Sequence, residues 1–242
     1  MKRIRKDKTA VILLTVNLLF GLSLFLMGNN SKPAVVNEAI STSGLAVQAG
    51  MEETADREIK KIALTFDDGP HPYYTEQILD GLKVRGVHAT FFVTGENATL
   101  HPELIRRMNE EGHLVGNHTY GHTQLRKDNR EEFREELKRT NAVLQEITGE
   151  ETLFVRPPYG SWDKSFEKEL NMFPVLWTVD PLDWCSHNAA CVTGRIVGHV
   201  KENDIILMHD CYDSTVTAAL QVVDALQAEG YTFVTVDEIL FD

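Results

Sequence analysis

Cysteine is scarce in this 242-residue chain, with three copies at Cys185, Cys191 and Cys211. An odd count allows at most one internal bridge, so a disulfide framework is not what holds the fold. The spacing of Cys185, His187 and Cys191 matches no common zinc-ligand pattern, so no second metal centre is expected there. Internal repeats are absent, which excludes a repeat architecture. Positive charge is scarce once the first 50 residues are set aside. Those residues hold six of the 24 Lys and Arg and two of the 36 acids, Asp7 and Glu38. The remainder has 18 basic and 34 acidic residues, a formal charge of −16. So acidic a body does not suit nucleic acid and does suit a soluble domain.

Long apolar runs are limited to one, Ala10 to Met27, which is uncharged with the single amide Asn17 and follows Lys2, Arg3, Arg5, Lys6 and Lys8. A helix of that length can cross the hydrocarbon core, with the basic flank kept in the cytoplasm and the body outside. A cleaved signal peptide has an apolar region of about 7 to 15 residues, shorter than this one. Residues 1–28 are therefore read as a basic flank and an uncleaved transmembrane anchor, making the protein single-pass in the cell membrane; cleavage would make it secreted. Residues 29–57 are rich in small and polar types without apolar periodicity and read as a flexible linker. Residues 58–242 form one catalytic domain, a size at which one substantial core can be buried.

Within that domain short β-rich runs alternate with amphipathic segments, the pattern of βα units around a parallel sheet. The expected strands are 62–66, 90–93, 114–116, 153–155, 175–179, 205–208 and 231–236. Phe133, Leu137, Leu144 and Ile147 share one helix face, and a second helix over 215–228 stops at Gly230. Seven strands point to an α/β fold of the distorted or incomplete (β/α) barrel type, although alternation alone also fits a doubly wound sheet.

Five polar clusters follow five of these strands: TFDDGP (65–70), NHTYGH (117–122), RPPYG (156–160), DPLDW (180–184) and LMHD (207–210). In parallel β/α folds the loops after the C-terminal strand ends share one face, so all five should converge. His118 and His122, four apart, would meet on one side of a helical turn, and neutral imidazole is a preferred zinc ligand. One aspartate of Asp67-Asp68 would complete a three-ligand site that leaves a position open for water, and the other could take that water's proton. Gly69-Pro70 supplies the turn that lets adjacent acids hold different posts. Arg156 precedes two prolines that stiffen its loop and could grip a carboxylate in a fixed fork. His209 suits proton donation to a departing amine, and Trp184 offers a flat face for a sugar ring. Singly, each motif has an ordinary alternative in turn propensity, surface pairing or core packing; their joint order is what carries the reading.

That order resembles the signature of the polysaccharide deacetylases, the NodB-homology carbohydrate esterases, over about residues 58–242. The resemblance implies that Asp68, His118 and His122 bind one divalent cation, with Asp67 as base and Arg156 orienting it. Zinc suits that donor set best, and cobalt, nickel or iron also fit. It further implies that the Tyr159 main-chain N–H helps hold the oxyanion, that Asp183 tunes His209, that Trp184 walls the pocket and that Leu207 lines the acetyl slot. The cysteines around DWCSHNAAC depart from the family pattern. The expected reaction is removal of N-acetyl groups from N-acetylglucosamine-type units of a cell-wall glycan, peptidoglycan in the first place. A chitin-oligomer deacetylase or an acetylxylan O-deacetylase is the alternative, and a non-catalytic glycan-binding module the remote one. Oligomeric state is not legible.

Overall fold

The apolar run that opens the domain becomes the central strand, and the rest of the sheet is laid out around it. The computed structural model describes residues 59–241; the expected anchor (1–28) and linker (29–57) lie outside the described residues. Strand β1 (Lys60–Asp67) pairs in parallel with β2 (Thr90–Val93), which pairs with β3 (Leu114–Asn117), then β4 (Phe154–Val155) and β5 (Phe173–Pro174). The other edge of β1 is shared. Its first half pairs with β7 (Tyr231–Val234) and its second half with β6 (Ile205–His209). All pairings are parallel, and the sheet curls so that the segment after β5 reaches back to β6. The result is a distorted, incompletely closed (β/α) barrel, as the seven alternating strands suggested, and not a doubly wound sheet.

The closing segment differs from expectation. A strand was expected over 175–179, yet the strand is Phe173–Pro174, and the following residues make one isolated bridge, Val179 with Ile206. The cause is a change of partner. Val175 N–H still donates to Val155 O (2.8 Å), whereas Thr178 N–H already donates to Ile205 O (2.9 Å), so the chain crosses a gap between β4 and β6 rather than running along either. The last strand also stops early, at Val234. Thr235 and Glu238 form a capping box that starts α8 (Val236–Leu240) instead.

Alternation sorts each central strand into two faces. Leu64, Phe66, Ile206 and Met208 point outward into the main apolar core with Ile78, Leu79 and Leu82 of α1 (Tyr74–Arg85) and Val222, Val223 and Leu226 of α7 (Asp213–Ala228). Phe66 stacks on Phe91 with ring centres 5.1 Å apart. The helix over Arg130–Thr148, α4, buries Phe133, Leu137 and Leu144 as its periodicity requires, and Gly230 ends the turn after α7 at φ 85°. No helix among the described residues is long and apolar enough to cross a membrane. The opposite face of β1 and β6, carrying Thr65, Asp67, Leu207 and His209, faces inward.

Candidate active site

The parallel register sets Asp67 beside His209 and Thr65 beside Leu207 on neighbouring strands. The inward side chains of Asp67, Leu207 and His209, with those of Asp68, His118, His122, Tyr159, Trp177, Asp180 and Trp184, line one cavity of 460 Å³ at the C-terminal strand ends. Arg156 and Asp183 stand directly behind that lining. All ten residues singled out in the sequence therefore lie at or against this cavity.

Arg156 is wholly buried, which demands that its charge be matched and its donors used. Its guanidinium donates to Asp67 Oδ1 (2.8 Å), Thr65 Oγ1 (2.6 Å), Val175 O (3.1 Å) and Leu176 O (3.2 Å), and lies 4.2 Å from the centre of the Phe92 ring. Asp67 is thereby held by a rigid fork while Oδ2 faces His118 Nε2 at 3.9 Å. On the other flank Asp183, fully buried, accepts from His209 Nδ1 (2.9 Å), the His209 main-chain N–H (2.8 Å) and the Thr215 hydroxyl (2.8 Å). Burial draws the His209 pKa down, but the hydrogen bond and charge of Asp183, with Asp67 and Asp68 behind, outweigh it and lift the imidazole to about 9. His209 is thus protonated at neutral pH.

The two histidines are not brought together by a helical turn, as the four-residue spacing suggested. They sit on an irregular loop in which Thr119 (φ 63°) and His122 (φ 57°) take left-handed conformations, so the loop doubles back and the imidazole centres come within 5.0 Å. Local hydrogen bonds support that strain. Asn117 Oδ1 accepts from Thr119 N–H (2.8 Å), and Glu136 of α4 accepts from the N–H groups of Tyr120 (2.9 Å) and Gly121 (2.6 Å). Asp68 (φ 74°) is likewise left-handed, its carbonyl held by Asn97 Nδ2 at 2.7 Å, which separates its side chain from that of Asp67.

One carboxylate oxygen of Asp68, Oδ1, lies 3.3 Å from Nε2 of both His118 and His122. His118 Nδ1 is 2.6 Å from Arg156 O, so that nitrogen donates and Nε2 presents a lone pair. Burial, ahead of the opposing pull of Asp68, pushes the His122 pKa below its ordinary value and favours the neutral ring. Burial would raise the Asp68 carboxyl, but the histidines around it, His118 first, hold it below the usual carboxylate range. Asp68 Oδ1 is buried with no hydrogen-bond donor. An orphaned anionic oxygen facing imidazole lone pairs, all ligand atoms within 4.8 Å, fits one divalent cation with two nitrogen donors and one oxygen. Among the described residues this is the one such group. Cys185, Cys191 and Cys211 are all free thiols.

Sequence reasoning passed over several residues of the site. Asp210 is fully buried behind Gly69, with the Thr75 hydroxyl donating to Oδ2 and Oδ1 without a partner. Burial raises its pKa to about 7 against the hydrogen bond from Thr75. Trp177 and Asp180 line the cavity, and Thr65 and Asn97 hold Asp67's arginine and Asp68's backbone. The inward alternation of β1 was a usable signal for Thr65, and Asp180 and Asp210 fall inside the DPLDW and LMHD clusters; nothing in the sequence marked Trp177 or Asn97.

The same arrangement can be placed among known proteins. Residues 54–175 match the polysaccharide deacetylase family. The peptidoglycan-N-acetylmuramic acid deacetylase PdaC of Bacillus subtilis (strain 168) is 39% identical over 188 residues, covering 78% of this chain and 40% of that protein. The peptidoglycan-N-acetylglucosamine deacetylase PgdA of Listeria monocytogenes serotype 1/2a (strain 10403S) is 39% identical over 180 residues, covering 74% of this chain and 39% of that protein. The chain thus spans about 40% of the length of these relatives. The solved structure of peptidoglycan deacetylase PdaC from Bacillus subtilis superposes with a TM-score of 0.73 at 38% identity, over 76% of this chain and 91% of that one. With the family match spanning half the chain and the fold shared, the chain belongs to the polysaccharide deacetylase family.

Proposed function

We propose that the protein is a divalent-metal-dependent hydrolase that removes N-acetyl groups from N-acetylglucosamine-type units of a cell-wall glycan, peptidoglycan in the first place. The observation that carries this reading is the Asp68–His118–His122 donor set flanked by two separately wired proton carriers. A bound cation, zinc by the nature of the donors, supplies an acidified water and polarisation of the acetamide carbonyl. Asp67, paired with and oriented by Arg156, takes the proton of the attacking water. The Tyr159 main-chain N–H is the candidate donor to the carbonyl oxygen as it gains charge. His209, charged at neutral pH through Asp183, gives its proton to the amine nitrogen as the C–N bond breaks. The products are acetate and a free amine on the sugar. Leu207, buried on the inner face of β6, suits the acetyl methyl, and Trp184, half exposed at the rim, suits the sugar face.

Membrane anchoring through Ala10 to Met27, with the domain outside the cell, belongs to the same proposal and is supported by the charge and length of that segment. The deciding experiment incubates the full-length protein with peptidoglycan, chitin oligomers and acetylated xylan and measures acetate, with and without a chelator. Release from peptidoglycan, abolished by the chelator and restored by zinc, is the expected result. Release from xylan esters alone, or chelator-insensitive release, would overturn the reading.

A further inference from the structure

A second concavity of 680 Å³ adjoins the catalytic cavity, with Arg126, Lys127 and Arg130 in its lining. The two share walls. The loop that ends the cavity at His122 runs on into the groove at Leu125, Arg126 and Lys127, and the loop that contributes Tyr159 to the cavity contributes Gly160, Ser161 and Trp162 to the groove. His122 and Tyr159 meet edge to face at 5.1 Å, forming the ridge between them. A polymer whose reacting sugar occupies the cavity can therefore continue across Tyr159 into the groove.

The groove is built, not merely open. Asn129, buried, accepts from the Arg126 main-chain N–H (2.7 Å) and donates to Gln124 O (3.0 Å), fixing the turn that presents Arg126 and Lys127. Gln124 Nε2 donates to Ser161 Oγ (3.3 Å), tying the two walls together. Arg130 is committed to Asp163 (2.5 Å), Ser165 (2.7 Å) and Glu169 (3.2 Å) over the Phe166 ring, so its charge and that of Asp163 cancel. What remains is Arg126, in an exposed 3.6 Å pair with Asp128, and Lys127, which makes no ion pair with another described residue. One unpaired cation, Lys127, and a second, Arg126, in a long, solvent-exposed pair are thus presented beside the Trp162 indole on a domain whose formal charge is strongly negative. The charges of the catalytic cavity are matched internally, Arg156 against Asp67 and His209 against Asp183. An anionic substituent of the strand is therefore attracted to the groove.

We propose that this groove is an accessory subsite for a carboxylate carried by the glycan strand next to the reacting sugar, as peptidoglycan carries on its peptide, or on its lactyl group where no peptide is attached, and chitin does not. The inference deepens the deacetylase reading and rests on it for the placement of the strand. Arg126 and Lys127 would select a charged strand, and the aromatic side of Trp162 its sugar face.

Equilibrium binding of the full-length protein in detergent tests it, using soluble peptidoglycan strands with native carboxylates and the same strands with the carboxylates amidated. Native strands should bind about three- to tenfold more tightly than amidated ones, the range expected for one or two rim charges. That ratio should fall to near one in Arg126→Gln/Lys127→Gln and invert in Lys127→Glu, while Lys83→Gln, the loss of a lysine charge on α1, keeps it. A wild-type ratio of one, or a ratio that survives in both groove variants, overturns the subsite. Acetate release from the same strands is recorded separately. If none appears, the deacetylase reading fails, while the binding ratio still decides whether the groove selects carboxylates.

Discussion

Replacing Asp183 with Asn should move the alkaline limb of activity and the pH dependence of stability together. Asp183 is fully buried and accepts two hydrogen bonds from His209, one of them from Nδ1. Its hydrogen bond, and after it its charge, is the leading reason that the His209 pKa stands at about 9 rather than 6.5 in spite of burial. At about 1.4 kcal/mol per pKa unit, that rise is worth about 3 kcal/mol of coupling between protonated His209 and the fold. Because the folded value lies above the ordinary one, this stabilisation is complete below pH 6.5 and is lost as pH rises through about 9. Without the Asp183 charge, the weaker pull of Asp67 and Asp68 is left to oppose burial, and the His209 pKa falls back towards its ordinary value. In the variant, the alkaline limb of kcat/KM should therefore shift down, by about two pH units, since the acid form disappears earlier. A bound cation lowers the His209 pKa in both proteins, so the displacement between the two profiles is the quantity to read. Denaturant unfolding should show a deficit of about 3 kcal/mol at pH 6 that shrinks towards pH 10. Coincident alkaline limbs, or a stability deficit independent of pH, would refute the coupling of Asp183 to His209.

Other perturbations separate stability from chemistry. Arg156→Ala strips the buried Asp67 of its cation and should cost about 3–5 kcal/mol in denaturant unfolding, with Arg156→Lys recovering only part because a point charge cannot reproduce four donor contacts; wild-type stability in Arg156→Ala would contradict the ion pair. His122→Ala removes a ligand but few core contacts, so zinc bound per chain, measured by elemental analysis after dialysis, should fall well below one while the unfolding midpoint of the metal-free protein changes little. Gly69→Ala would drive a methyl group into the Asp210 carboxylate and should destabilise by about 1–3 kcal/mol; an unchanged melting curve would show that Asp210 can move aside.

Much of this molecule was legible in its residues because two periodicities report burial directly. The α4 stripe of Phe133, Leu137 and Leu144 and the outward face of β1 need only local geometry to be read, since burial of every fourth or every second side chain is what a helix or strand on a core requires. The polar clusters at strand ends were legible for a related reason, because a parallel sheet sends all its C-terminal ends to one side. Where the reading slipped, the backbone broke its period. The 175–179 segment has the apolar content of a strand but exchanges one partner strand for another within a few residues. The His118–His122 spacing has the look of a helix, yet the loop uses left-handed residues that side-chain periodicity cannot announce.

The identities of the candidate ligands and proton carriers, the parallel α/β architecture and the acidic character of the domain were determined by the sequence alone, because composition and local period need no knowledge of distant partners. Which oxygen of which aspartate faces the imidazoles, the Asp183 contact that lifts His209, the burial that lifts Asp210 and the joining of a cationic groove to the catalytic cavity were decided by the tertiary structure. Each of those depends on groups far apart in the chain, Arg156 against Asp67 or Asp183 against His209, whose distance and shared exclusion of water exist only once the barrel has curled.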